Sequence, residues 1–152
     1  MNEEDNVQTV KDAYLAFQDG NIPALLDCLK EDVQWSSIGP PELIPMAGTR
    51  KGRNQVKEFF DTLKSFEEVQ SFRPQHFIAQ GNRVVAMGEC QARVRSTGIS
   101  VTSPWVHVFT FRDGKISEFR SFDDTAATVK ALGDVQTRTA RAGTSGLRRA
   151  VL

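Results

Sequence analysis

Trp105-Val-His-Val-Phe-Thr-Phe-Arg-Asp-Gly-Lys-Ile116 decides the fold. Trp105, His107, Phe109 and Phe111 recur at every second position, the period of a β-strand, so Val101 to Phe111 reads as one strand. Arg112-Asp-Gly-Lys115 follows as a hairpin turn, because Asp-Gly tolerates the positive φ such turns need. Ile116 to Phe122 is the returning strand, and strict alternation places Ile116, Glu118, Arg120 and Phe122 together on one face.

Working back toward the N-terminus, the same logic extends the sheet. Arg83 to Ser96 alternates, with Val84, Ala86, Gly88, Cys90, Ala92 and Val94 on one face and Glu89, Gln91, Arg93 and Arg95 on the other. Thr97-Gly98 and Gly81-Asn82 supply the turns on either side. The first face is built of small residues, which leave volume unfilled where it is concave; a one-residue bulge would reverse that parity. Val69 to Ala79 is another strand, interrupted by Pro74, which points to an edge or a bulge.

The first third of the chain has the helical period instead. Val7, Val10, Tyr14 and Phe17 form one apolar stripe over Glu3 to Gln18, which Gly20 ends. Asn21 caps a second helix with Pro23 in its first turn and Leu25, Leu26 and Leu29 on its buried side. Asp32 to Ile38 reads as a short strand. Gly39 to Gly52 holds three prolines and three glycines and reads as a long irregular loop. Val56, Phe59, Phe60 and Leu63 mark a third helix over Asn54 to Leu63. Asp124 caps a short closing helix to about Leu132. The order α-α-β-α-β-β-β-β, with helices early and hairpins late, belongs to an α+β domain over residues 1–132. After Gly133 the apolar pattern stops. The stretch 133–152 carries Arg138, Arg141, Arg148 and Arg149 among small residues and reads as a flexible or partner-docked tail.

Composition narrows the function classes. The 152 residues suit one domain; 39% are apolar, 25% are charged, and the formal net charge is zero. A neutral chain offers nucleic acid and anionic membranes no general attraction. The apolar runs are far too short to span a bilayer, and the opening Met-Asn-Glu-Glu-Asp is no signal peptide, so a cytoplasmic protein is expected. Cys28 and Cys90 are expected as buried free thiols. His76 and His107 lack metal-ligand spacing, and no phosphate-binding glycine motif occurs, so no metal, nucleotide or other cofactor is expected.

With Tyr14-Leu-Ala-Phe-Gln-Asp-Gly-Asn21, Asp32-Val-Gln-Trp35, Gly48 to Phe60 and the Trp105–Ile116 hairpin in this order, the chain resembles the nuclear transport factor 2-like superfamily. Within it the resemblance is to the ketosteroid-isomerase-like and SnoaL-like (polyketide cyclase) branch, over roughly Asn6 to Leu132. The resemblance implies a cone-shaped, cystatin-like roll: three N-terminal helices packed on a curved antiparallel mixed sheet. It implies a pocket for a small hydrophobic molecule, and a homodimer. Carried over residue by residue, the isomerase base position falls at Ser37. The tyrosine position falls at Ala13, with Tyr14 one place off and directed elsewhere on its helix, and the aspartic acid position falls at His107. The changed positions argue against steroid isomerisation by the family mechanism. The Arg-x-Asp pair of limonene epoxide hydrolases is missing as well.

His107 is the candidate acid/base, since imidazole titrates near neutrality. Glu118 is its expected partner on the neighbouring strand, Arg120 an expected ligand or oxyanion contact, and Asp123 a further candidate at the cavity mouth. A structural histidine bonded to Glu118, and a Glu118–Arg120 internal ion pair, are the plainer alternatives. Tyr14, Trp35, Ser37, Met46, Phe59, Phe60, Leu63, Cys90, Ala92, Trp105, Phe109 and Phe122 are expected to line the pocket, though an apolar stripe is also what any core needs. Three functions are compatible with these features: a cofactor-independent isomerase, cyclase or hydratase; a small-molecule-binding dimer without chemistry; and a protein-interaction module, which the small-residue face argues against.

Overall fold

The computed structural model describes residues 2–133, so all but Gly133 of the expected tail lies outside the described residues. Helix α1 spans Glu3–Gln18, with Asn2 accepting a hydrogen bond from the Asp5 amide at its start. Gly20 leaves it in the left-handed region at φ +71°. Helix α2 is Ile22–Asp27, capped by Asn21 through the Ala24 amide. Strand β1 is Leu29–Ser37 and β2 is Gly48–Lys51. Helix α3 runs Arg53–Phe66. Strands β3 (Glu67–Gln80), β4 (Arg83–Val94), β5 (Ser100–Arg112) and β6 (Lys115–Asp123) follow, and α4 (Thr125–Ala131) closes the fold.

The six strands form one mixed sheet in the order β2-β1-β6-β5-β4-β3. Among the described residues, only the β1–β6 pair is parallel. The helices cover one face of this curved sheet, and the two layers meet in a core that includes Val10, Leu25, Val33, Val56, Val84, Phe109 and Ile116. Each such side chain contributes on the order of 1.5–3 kcal/mol by leaving water. Pro74 falls in β3, which is both a sheet edge and bulged at that point, between Pro74 and His76. A missing N–H is harmless at such a place.

Two expectations are corrected. The stretch Gly39 to Gly52 is not wholly irregular. Its last part is β2, which pairs antiparallel with β1 from Ser37 opposite Gly48 to Gln34 opposite Lys51. Gly48, at φ +111°, turns the chain into that pairing. Arg50 then ties down the preceding loop by donating to the carbonyls of Pro45, Met46 and Ala47. Glycine and proline density had hidden a four-residue edge strand.

The second correction concerns β6. Thr110 pairs with Glu118 but Phe111 pairs with Ile116, so Ser117 is an extra residue, and its hydroxyl donates to the Thr110 carbonyl. This bulge reverses the alternation. Ile116 and Phe119 are both buried against the core, and Glu118, Arg120 and Phe122 sit on the other face from Phe119, Ser121 and Asp123. The grouping of Ile116, Glu118, Arg120 and Phe122 is therefore wrong.

Candidate functional site

Between helices and sheet lies a cavity of about 190 Å³. An apolar cavity of roughly 150 Å³ holds a benzene molecule, so this one has room for a ring. Its sheet wall is built in rungs that follow the strand pairing. One contains Trp35, Phe119 and Phe109, with Trp35 stacked on Phe119 at 3.9 Å between ring centroids. The next contains Ser37, Ser121 and His107, and the one after it Asp123 and Trp105.

On β4, Cys90 and Ala92 line the cavity, whereas Val84 and Ala86 are fully buried and do not. Gly88 does not line it either, because Trp105 lies across it. A Cβ there would meet the Arg73 carbonyl oxygen, the Trp105 ring at 2.5 Å and Pro74 Cα at 2.9 Å. Trp105 can lie across β4 only because that position has no side chain. Its indole stacks on His107 at 4.2 Å and on Phe72 at 4.9 Å.

His107 faces the cavity from β5, and Tyr14 faces it from α1. The Tyr14 hydroxyl and His107 Nδ1 are 2.8 Å apart, a hydrogen bond between helix layer and sheet layer. Tyr14 thus lies in the cavity rather than elsewhere on its helix, and Ala13 lines it too. Burial among Trp105, Phe119 and Phe109 pushes the His107 pKa from 6.5 down to about 3, so the ring is neutral at physiological pH. Burial likewise pushes the Tyr14 phenol up and keeps it protonated. The result is a neutral hydrogen-bonding pair in an aromatic wall.

The expected partners of His107 are not there. Glu118 and Arg120 lie on the outer face of β6, where the Arg120 guanidinium sits over the Phe122 ring at 5.1 Å. Neither pairs with the other in an ion pair, and Phe122 does not line the cavity. Opposite His107 on β6 stands Ser121. Asp123 does line the cavity, as do Tyr14, Trp35, Ser37, Met46, Phe59, Phe60, Leu63, Cys90, Ala92, Trp105 and Phe109. Asp124 is the α4 cap, accepting from the Ala127 amide at 3.0 Å. Burial raises the Asp123 carboxyl, with Asp124 adding to the effect.

Sequence reasoning missed Glu67, Ser103, Ser121, Phe17 and Phe72, all of which line the cavity. Ser103 was within reach, being two residues before Trp105 on one strand face. Glu67 was not, because it fell between the expected end of α3 and the expected start of β3. It is the residue on which α3 ends and β3 begins. Burial, reinforced by the charge of Asp123, lifts its carboxyl from 4.5 to about 7. Burial, with the charges of the same two carboxyls adding to it, pushes the Cys90 thiol up to about 12. Among the described residues, no three His, Cys, Asp or Glu side chains gather as metal ligands, and no helix is long and apolar enough to cross a membrane.

The comparisons with known proteins agree with this architecture. A SnoaL-like domain family matches residues 10–119. No curated protein sequence matches the chain. Among solved structures, an NTF2-like protein from Burkholderia xenovorans LB400 is 33% identical with a TM-score of 0.78, covering 86% of this chain and 98% of that one. An NTF2-like protein of unknown function from Burkholderia pseudomallei K96243 is 28% identical with a TM-score of 0.76, over 84% and 97% of the two chains. TerC co-crystallized with polyporic acid is 28% identical with a TM-score of 0.74, over 84% and 98%. With a family match over most of its length and a cone of the same topology, the chain belongs to the SnoaL-like domain family of the NTF2-like superfamily.

Proposed function

We propose that this protein is a cofactor-independent enzyme of the isomerase, cyclase or hydratase type, acting on a small hydrophobic molecule that carries a carbonyl or comparable oxygen. The observation that carries it is the 2.8 Å Tyr14–His107 hydrogen bond in the wall of an otherwise aromatic cavity. A buried polar pair with one imidazole nitrogen engaged leaves the other nitrogen for a ligand. With Tyr14 donating to Nδ1, the imidazole carries its proton on Nε2 and offers it to substrate oxygen. A histidine held neutral acts here as hydrogen-bond and proton donor rather than as a charged acid, and delivers that bond where charge develops. The similarity to TerC, which was co-crystallized with polyporic acid, supports a ring-bearing ligand.

The test uses the chain's own reporters. Both tryptophans, Trp35 and Trp105, line the cavity, so intrinsic fluorescence reads ligand entry directly. Screening ring-bearing ketones by fluorescence quenching, and then following product by NMR, is expected to give a substrate whose turnover falls at least tenfold in His107→Gln with its affinity largely kept. Full turnover in that variant would remove His107 from the chemistry. Binding without turnover of any bound ketone would favour the second reading, a non-catalytic ligand-binding protein, which the serine at position 37 and alanine at position 13 make worth testing.

A further inference from the structure

The cavity wall holds hydrogen-bonding groups that the Tyr14–His107 pair does not use. Ser121 on β6 stands opposite His107 on β5, and Ser37 on β1 stands opposite Ser121. All three line the cavity, so they form one polar row across three adjacent strands. The bulge at Ser117 is what turns Ser121 inward. The neighbouring rung on one side, Trp35, Phe119 and Phe109, is wholly aromatic. Among the described residues, the buried side-chain polar atoms without a partner are Asn6 Oδ1 and the two indole nitrogens. Neither serine hydroxyl is bonded to another described side chain or carbonyl, and neither belongs to that enclosed set. Both are therefore open to the cavity. Each hydroxyl can donate one hydrogen bond and accept two, and in an apolar space a ligand is what supplies the partner.

The spacing of the row comes from the sheet. Neighbouring strands lie about 4.8 Å apart, so the three groups together span roughly twice that. A single ligand oxygen reaches at most two neighbours in such a row and leaves the third unmet. Charge narrows the ligand further. The described lining residues include no Lys or Arg, while Glu67 and Asp123 stand in the same wall and would repel an anion. Resting on the reading of His107 as a donor to a ligand oxygen, we propose that Ser121 and Ser37 are specificity-determining contacts for a second ligand oxygen. The ligand class this defines is an uncharged molecule that presents two oxygens along one edge, about one strand spacing apart. His107 meets the first oxygen and the serine pair meets the second. A molecule with one oxygen fills the same space but leaves the serines unpartnered, a loss that makes such sites selective.

The experiment uses the full chain and measures affinity by isothermal titration calorimetry at pH 7. The probes are phenol and the three dihydroxybenzenes, which are uncharged there. In resorcinol the two oxygens share one edge at about the strand spacing. In catechol they are too close, and in hydroquinone they point in opposite directions, so one wall meets only one of them. Wild type is expected to bind resorcinol about fivefold or more tighter than phenol, catechol or hydroquinone, the worth of one added neutral hydrogen bond. Ser121→Ala and Ser37→Ala are each expected to weaken resorcinol about fivefold and to leave phenol within about twofold. Ser121→Cys, close in size but a weak hydrogen-bonding group, is expected to follow Ser121→Ala. His107→Gln is expected to weaken phenol and resorcinol alike. Resorcinol no tighter than phenol in the wild type overturns the proposal, and phenol binding that still depends on His107 keeps the earlier reading. Phenol weakening alongside resorcinol in the serine variants also overturns it, since the serines would then act on the same oxygen as His107 or through packing. Ser121→Cys binding resorcinol as wild type does removes the hydrogen bond from the argument and overturns it too. A wild type that binds neither phenol nor resorcinol overturns both readings.

Discussion

Removing either Glu67 or His107 as a titrating group is expected to uncover a pH dependence of stability that the wild type conceals. The two groups are displaced in opposite senses. Glu67 moves from 4.5 up to about 7, so its proton favours the folded state; that contribution is fully present below pH 4.5 and is lost as pH rises through 7. His107 moves from 6.5 down to about 3, so the unfolded chain takes its proton first; stability is present above pH 6.5 and is lost as pH falls toward 3. Between pH 7.5 and 5 these slopes overlap. At 1.36 kcal/mol per pH unit of unmatched protonation, acidification over that span adds about 2 kcal/mol through Glu67 and removes about 2 kcal/mol through His107. Their sum is near zero in the wild type. Glu67→Gln is expected to become less stable on going from pH 7.5 to 5 by about 2 kcal/mol more than the wild type. His107→Gln is expected to become relatively more stable by a similar amount. Urea unfolding of the three proteins at both pH values measures this, and taking each variant's change relative to wild type cancels every other titrating group. If Glu67→Gln tracks the wild type within about 0.5 kcal/mol, or shifts in the opposite sense, Glu67 is not the buried, near-neutral carboxyl described above.

Further outcomes follow from the cavity walls. Gly88→Ala puts a methyl group against the Arg73 carbonyl, Pro74 and the Trp105 ring, and is expected to cost roughly 1–3 kcal/mol in urea unfolding and to shift tryptophan emission; unchanged stability and emission would contradict the packing of Trp105 over β4. Tyr14→Phe leaves His107 Nδ1 without its partner and is expected to lose about 1–3 kcal/mol, which thermal or urea unfolding would show. Glu118→Ala and Arg120→Ala alter the outer face of β6, so ligand quenching of tryptophan fluorescence is expected to keep its affinity within twofold; a tenfold loss would return these residues to the site. In a Cys28→Ser background, Cys90, with its thiol pushed up to about 12, is expected to react with Ellman's reagent at pH 8 only on unfolding, and prompt reaction in the native protein would show a thiolate that burial does not suppress.

Local period made much of this protein legible. The stripe Val7, Val10, Tyr14 and Phe17, the alternation through Val84 to Val94, and the Asp113-Gly114 turn each depend only on residues a few positions apart, and the elements they mark are present. The layer arrangement followed from their order. Ser37, Cys90, Ala92, Trp105, His107 and Phe109 reached the cavity because strands β1, β4 and β5 keep their parity where these residues lie. What failed was whatever depended on counting across an irregularity or on the third dimension. Alternation alone gave Glu118 and Arg120 to the cavity, but the extra residue at Ser117 sends them outward. The Tyr14–His107 bond joins residues 93 positions apart, and no sequence period reports such a contact. Glu67 owes its unusual carboxyl to being enclosed at a junction between two elements, while its sequence neighbours read simply as the end of a helix.

The bulge at Ser117 has a consequence for how this scaffold can be rewritten. It works as a phase setting for β6. With Ser117 held out of the pairing, the strand offers Ile116 and then Phe119, Ser121 and Asp123 to the interior; with Ser117 taken into regular pairing, plain alternation from Ile116 would offer Glu118, Arg120 and Phe122. A one-residue slip of β6 along β5 would thus exchange the two faces without one substitution, whereas deleting Ser117 would remove the bulge and leave Phe119, Ser121 and Asp123 facing inward. In this fold the catalogue of groups facing the ligand is encoded by strand register as well as by residue identity.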